Sequence, residues 1–137
     1  MANELPLISS DRFHDECAVF GIYGHKEAAN LAYLGLYALQ HRGQEATGIV
    51  SNDGEQFYVE KGQGHVADIF SQQALARLPG TMAIGHNRYS TAGGAGLKNV
   101  QPLTVNFAFG NLAVADNGNL INATMLRSEL EAYGAIF

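Results

Sequence analysis

The chain holds one cysteine, Cys17, at the head of the apolar run Ala18-Val19-Phe20-Gly21-Ile22-Tyr23. One cysteine makes neither an internal disulfide nor a thiolate metal site, so two readings stay open: a small buried hydrophobe, or a nucleophile. A nucleophile needs a base. His14, His25, His41, His65 and His86 are scattered, and none of them pair at the i, i+4 spacing of a helical metal site. A different base is available if the chain is cut between Glu16 and Cys17, because the freed α-amine, with an ordinary pKa of ~7.7–8, then lies beside its own thiol. Such a thiolate attacks an amide carbonyl, and the tetrahedral oxyanion that forms needs two donors held at about 3 Å.

Asn117-Gly118 can supply two donors, the asparagine side-chain amide and the glycine N–H. The same pair reads equally as an ordinary hairpin turn, and the readings are compatible, because a tight turn holds its donors rigidly. Arg88 at a strand end, with Thr91 three residues on, has the guanidinium fork that clamps an α-carboxylate; the plainer alternative is a solvated surface arginine. Arg42, in Gln40-His41-Arg42-Gly43-Gln44, follows an apolar helix and reads as a cation at its C-terminus. The glycine-rich stretch Ala92-Gly93-Gly94-Ala95-Gly96 lacks the Gly-Lys-Ser/Thr ending of a phosphate loop and reads as a plain loop.

These residues need elements to hold them. Cys17 to Tyr23 predicts a strand buried on both faces, and Lys26 to His41 a helix covered on both sides. Gly35 in mid-helix implies a close backbone approach. Thr47–Ser51 and Gln56–Glu60 flank Asp53-Gly54, a hairpin signal. Ser71 can cap a short helix through Leu78, and Thr81 to His86 forms a further strand. Leu103 to Phe109 and Asn111 to Ala115 pair around Gly110-Asn111. Asn122 can cap a last helix ending near Gly134, which leaves Ala135-Ile136-Phe137 as the beginning of a strand. Successive strands with few intervening helices predict an α+β fold of antiparallel sheets packed with helices, in a single domain left incomplete at its C-terminus.

The bulk numbers agree with that frame. At 137 residues, 47% hydrophobic and 15% charged, the chain is long enough for one ordinary core. A net charge of -5 with scattered basic residues excludes nucleic acid as an expected partner. The polar first sixteen residues lack the basic and apolar regions of a signal peptide, and no apolar stretch approaches a membrane span. A lone cysteine fits a reducing cytoplasm.

Set in order, the segments resemble the class II, or N-terminal-nucleophile, glutamine amidotransferases along most of residues 11–134. Asp15-Glu16-Cys17 before Ala18-Val19-Phe20-Gly21-Ile22 resembles the family's processed start, where a short propeptide is removed. Gln40-His41-Arg42-Gly43-Gln44-Glu45-Ala46-Thr47-Gly48-Ile49 is similar to the form found in the branch that uses phosphoribosylpyrophosphate. Gly85-His86-Asn87-Arg88-Tyr89-Ser90-Thr91-Ala92-Gly93, with Asn99-Val100-Gln101-Pro102, resembles the glutamine-binding segment, and Asp116-Asn117-Gly118-Asn119-Leu120 the oxyanion-hole turn.

The resemblance implies a leader at 1–16 and the front part of a glutaminase domain at 17–137, folded as a four-layer αββα sandwich of antiparallel sheets. It makes Cys17 nucleophile and, through its freed amine, base; Asn117 and Gly118 the oxyanion hole; Arg88 and Thr91 the holders of glutamine; and Arg42 a residue ordering the pocket. The implied reaction hydrolyses glutamine and passes ammonia to a second domain, which converts phosphoribosylpyrophosphate to 5-phosphoribosylamine in purine biosynthesis. That domain is missing here, as is the acidic residue expected just after Phe137 to grip the glutamine amine. Mg2+, an iron-sulfur cluster in some members and a homo-oligomeric assembly are implied for a longer parent, and no cofactor for this chain. Two other readings stand beside this one: a class II amidotransferase feeding another acceptor, and a non-catalytic fragment.

Overall fold

The computed structural model describes residues 17–89, 96–118 and 120–136. The expected leader at 1–16, Thr91 and most of the glycine-rich loop lie outside the described residues.

Strands β1 (Ala18–Tyr23), β2 (Ala46–Asn52), β3 (Phe57–Gln63) and β4 (Met82–Arg88) form one antiparallel sheet in the order β1-β4-β2-β3. The β2–β3 hairpin closes at Asp53-Gly54. Gly54 supplies the positive φ of +105°, and Asp53 Oδ1 accepts from the backbone N–H groups of Gln56 and Glu55, both at 2.9 Å. Those bonds, with a third from the Tyr58 hydroxyl, favour the ionised carboxyl and lower its pKa to about 2.

Helix α1 (Ala28–Ala38) packs across β1, β4 and β2, and a 3₁₀ turn at Gln40–Arg42 replaces the last turn expected of it. Ala28, Ala32 and Leu36 recur at i, i+4 spacing and are fully buried, so one stripe of the helix faces the sheet. Gly35 has the role its position suggests: a Cβ there would lie 2.5 Å from the Phe20 ring, so the missing side chain lets α1 seat on β1. Leu36 and Ile49 at the centre of this core each contribute roughly 1.5–3 kcal/mol through burial.

Two expectations of complete burial fail. Leu34 and Tyr37 of α1 are each 57% exposed, and Val19 and Tyr23 of β1 are 40% and 86% exposed. Apolar composition set those expectations, whereas burial depends on a closely packed covering layer, and the elements nearest these faces stand off across open clefts.

After the short helices α2 (Val66–Ile69) and α3 (Gln72–Ala76), the chain enters β4 and then a separate two-stranded sheet, β5 (Leu103–Phe107) with β6 (Gly110–Val114). Of the short helices, α3 was expected, and Ser71 Oγ caps it by accepting from Ala74 N at 3.2 Å; α2 was missed. In the second sheet Phe107 pairs with Gly110, so the turn is Ala108-Phe109 and not the expected Gly110-Asn111. Gly110, at φ +136°, closes that two-residue loop from the strand side.

Helix α4 (Ala123–Ala132) follows. Asn122 occupies its N-cap but makes no side-chain capping bond. Its C-terminus closes through Gly134, at φ +94°, whose N–H reaches Glu131 O, and through Ala135 N to Leu130 O, both at 3.0 Å. Ala135 and Ile136 form no strand, contrary to expectation. The α+β class with antiparallel sheets holds. Of the four expected layers, the first helix layer and first sheet enclose a core, while β5 is exposed throughout and α4 buries none of its residues.

Candidate active site

Cys17 stands one residue before β1, at the end of the sheet where β4 finishes. The register Ala18↔Asn87 on one side of β4 and Ala46↔Arg88 on the other brings Cys17, Arg88 and the start of β2 together. Cys17 Sγ accepts from Tyr89 N at 3.4 Å and lies 3.5 Å from Tyr89 O. The thiol is half-buried, and its residue has φ +57°, a left-handed conformation that costs a non-glycine residue roughly 1–2 kcal/mol.

The Cys17 carbonyl collects two side chains. Arg42 Nε donates to it at 3.0 Å, and Asn117 Nδ2 donates from 100 residues away at 3.5 Å, the long limit of such a bond. Arg42 reaches it from the 3₁₀ turn, whose Gln40 side chain bridges to Gly43 O and Val66 N. Gly43 in turn needs to be glycine, because a Cβ there would lie 2.8 Å from the Asn87 backbone.

Arg88 is only 8% exposed, which removes the solvated-surface reading. It ends β4 immediately before Tyr89. Gly118 follows an exposed bend at Asn117, not the hairpin turn that the pair could have made, because no strand follows β6 among the described residues; Thr91 lies outside them. Of the six expected site residues, the structure therefore gathers Cys17, Arg42, Arg88, Asn117 and Gly118 at one end of the first sheet.

Beneath them lies a polar layer whose residues stand in the motifs quoted above but carried no individual role there. His86 and Asn87 in β4 and Thr47 in β2 are buried, and Thr47 Oγ1 donates to Asn87 Oδ1 at 2.9 Å while Asn87 Nδ2 donates to Leu36 O at 2.7 Å. His86 Nε2 lies 3.1 Å from Asp116 O. Burial pushes the His86 pKa below its ordinary value; the Asp116 carbonyl and charge oppose that, and the nearby Arg88 charge adds to it. Gln101 grips Asp116 a second time, donating from Nε2 to Oδ1 at 2.9 Å and accepting from Asp116 N at 2.7 Å. His86 and Gln101 stand 30 and 15 residues from Asp116, and no periodicity could have paired them.

Among the described residues, no group of three His, Cys, Asp or Glu side chains is placed to hold a metal ion. A cluster of the iron-sulfur type needs four cysteines, and the sequence has one. An apolar cleft of about 520 Å³ between the first sheet and β6 is lined by Tyr23, Met82, Ile84 and Leu112, at the far end of β1 from Cys17. It is separate from the candidate site.

No family model matches the chain. The chain is 53% identical over 125 residues to the amidophosphoribosyltransferase of Bacillus subtilis, an alignment covering 90% of this chain and 26% of that protein. The chain is an amidophosphoribosyltransferase homologue. It is 53% identical over 130 residues to the Rhizobium etli enzyme of that name and 49% identical over 144 residues to Arabidopsis thaliana amidophosphoribosyltransferase 2, a chloroplastic protein. A solved structure of the allosteric regulatory enzyme of purine biosynthesis superposes with a TM-score of 0.81 at 53% identity, over 87% of this chain and 26% of that one. The glutamine phosphoribosylpyrophosphate amidotransferase of B. subtilis, complexed with ADP and GMP, superposes with a TM-score of 0.78 at 51% identity. The chain spans about a quarter of the length of the amidophosphoribosyltransferases it matches. Among its described residues, no helix is long and apolar enough to cross a membrane.

Proposed function

We propose that this chain carries the glutamine-hydrolysing centre of an amidophosphoribosyltransferase, with Cys17 as an N-terminal nucleophile once residues 1–16 are removed. The observation that carries this reading is convergence: Tyr89, Arg42 and Asn117, from three separate segments, all bond to Cys17.

Removal of the leader converts the Cys17 nitrogen from an amide without basicity into an amine able to take the thiol proton. The left-handed φ of Cys17 is a torsion about its own N–Cα bond, defined by the carbonyl carbon of Glu16. Scission of that peptide bond abolishes the torsion and with it the strain.

Cys17 Sγ then attacks the side-chain carbonyl carbon of glutamine. The oxyanion takes hydrogen bonds from Asn117 Nδ2 and Gly118 N–H; the long Asn117 bond to the Cys17 carbonyl is weak enough to be exchanged for it. The α-ammonium group of Cys17 returns the proton to the departing nitrogen, and ammonia leaves with the C–N bond broken and a γ-glutamyl thioester formed. Water, deprotonated by the same amine, attacks the thioester carbonyl, which gives glutamate and restores the thiol. Arg88, and with it Thr91, holds the glutamine α-carboxylate, and Arg42 fixes the Cys17 main chain. The ammonia goes on to displace pyrophosphate from phosphoribosylpyrophosphate in a further domain, within a homo-oligomer. The need for a reduced thiol calls for a reducing compartment, which suits the cytoplasm; several plant relatives carry chloroplastic names.

Incubation with 6-diazo-5-oxo-L-norleucine, followed by intact mass and peptide mapping, tests this. Labelling at Cys17 in chains that begin at Cys17, absent from a Cys17→Ser variant, is the expected result. Labelling elsewhere, or glutamine hydrolysis by chains that retain Met1, would remove the N-terminal-nucleophile reading.

A further inference from the structure

The Asn117-Gly118 turn is exposed, so no hydrophobic packing fixes where its donors point. Apart from the long bond of Asn117 to the Cys17 carbonyl, its location comes from the preceding residue. Asp116 is held at its carbonyl by His86 Nε2, at its carboxylate by Gln101 Nε2 and at its N–H by Gln101 Oε1.

Both holders are themselves fixed. His86 is 1% exposed in the middle of the sheet, paired with Val19 on one side and Gly48 on the other. Gln101 follows Val100, which is fully buried and whose carbonyl accepts from Lys61 Nζ at 3.1 Å. A Cβ on Gly48 would overlap the Gln101 carbonyl, so a glycine in β2 makes room for it. Gly118 completes the fit: a Cβ there would stand 3.0 Å from the Asp116 Oδ2 of the carboxylate that Gln101 holds.

The histidine ring is specified in one tautomer. Its Nε2 faces a carbonyl, which only accepts, so the proton sits on Nε2. Among the described residues no donor reaches the buried Nδ1, which is left as a lone pair. A buried polar atom without a partner is a cost the fold retains, and the bond on the opposite side of the ring is what it gains.

We propose that His86 and Gln101 are positioning residues: they bracket Asp116 and thereby aim the Asn117 and Gly118 donors at the oxyanion formed on Cys17. This rests on the glutaminase reading above. The bracket acts on charge that exists only in the transition state, so its loss lowers kcat and leaves the KM for glutamine nearly unchanged.

The test compares His86→Asn, His86→Gln and Gln101→Ala in the full, leader-processed protein. The glutamine amide nitrogen reaches the place of Nε2, whereas that of asparagine reaches only the place of Nδ1. His86→Asn and Gln101→Ala are expected to lower kcat for glutamine hydrolysis about tenfold or more, and His86→Gln to stay within about threefold of the parent. Alkylation of Cys17 by iodoacetamide, a displacement that creates no oxyanion, should change less than about twofold in all three.

Equal losses in His86→Asn and His86→Gln, or hydrolysis and alkylation falling together, would overturn the proposal in favour of a merely structural role. A parent protein that hydrolyses no glutamine would instead overturn the reading on which the proposal rests. The bracket is then still read directly: ¹⁵N shifts should show a neutral, Nε2-protonated His86 at pH 7, and Gln101→Ala should speed amide exchange at Asn117 and Gly118. An Nδ1-protonated ring or unchanged exchange would refute it.

Discussion

The first sheet and the second meet at the candidate site but are held in different ways. Around α1 and the first sheet, Ala28, Ala32, Leu36, Ile49 and Val66 are fully buried, and the main chain of Cys17 and Arg88 is placed by the ladder of that core. The β5–β6 hairpin and α4 bury little: Leu103, Val105, Phe107, Leu112 and Val114 are each 45–55% exposed. What ties the stretch after β6 to the rest is polar, chiefly the bonds of His86 and Gln101 to Asp116. The nucleophile is thus positioned by packing and the oxyanion turn by side-chain tethers, so the two halves of one site should fail separately.

The sharpest way to break this contrast is to truncate one apolar side chain in each region. Leu36→Ala should cost about 3 kcal/mol in urea unfolding, and Leu112→Ala less than about 1 kcal/mol, because the first leaves a cavity in a closed core and the second does not. Equal losses would show that the second sheet is as tightly packed as the first.

Gly48→Ala addresses the junction. Its new Cβ would overlap the Gln101 carbonyl, a backbone atom, and the cost should be about 1–3 kcal/mol with faster amide exchange through residues 100–114. Exchange in α1 should change far less. Uniform acceleration across both regions would mean that they unfold as one unit.

Stability should also fall with acid through His86. Its pKa in the folded protein is lowered, so its contribution is complete above the ordinary value of 6.5 and is lost as pH falls through the depressed one, where the unfolded state binds the proton more readily. Asp116 and Arg88 act on the same ring in opposite directions. Thermal melts between pH 8 and 5 should show a downward slope below 6.5 that flattens in His86→Gln; an unchanged slope in that variant would assign it to other groups.

The smallest contrast concerns helix caps. Ser71→Ala should cost about 1 kcal/mol because Ser71 Oγ accepts from Ala74 N, while Asn122→Ala should change stability by less than about 0.3 kcal/mol because its side chain caps nothing. Paired chemical unfolding of the two variants checks the difference.

Local signals in the chain were enough for the elements whose cause is local. Asp53-Gly54 marked its hairpin because the turn needs a positive φ and an acceptor side chain, and both are written in those two residues. Ser71 marked α3 for the same kind of reason. The β5–β6 turn was misplaced by two residues, since Gly110 satisfies a turn from either register and only cross-strand pairing chooses between them. Burial was over-read for α1 and β1, because composition shows which faces are apolar but not which are covered.

The candidate site divides in the same way. Residue identity alone determined that Cys17 is the one thiol, that Asn117-Gly118 carries two donors, and that Arg88 and Arg42 are fork-shaped cations, since these are properties of single residues and short runs. Only the strand order β1-β4-β2-β3 decided that Tyr89, 72 residues on, would meet Cys17, and only the tethers of His86 and Gln101 to Asp116 that Asn117, 100 residues on, would join it. The roles of His86 and Gln101 lay beyond reach for a further reason. A hydrogen bond between a buried ring and a distant carbonyl depends on the whole register of the sheet and on a missing side chain at Gly48, and neither leaves a periodic or local trace in the sequence.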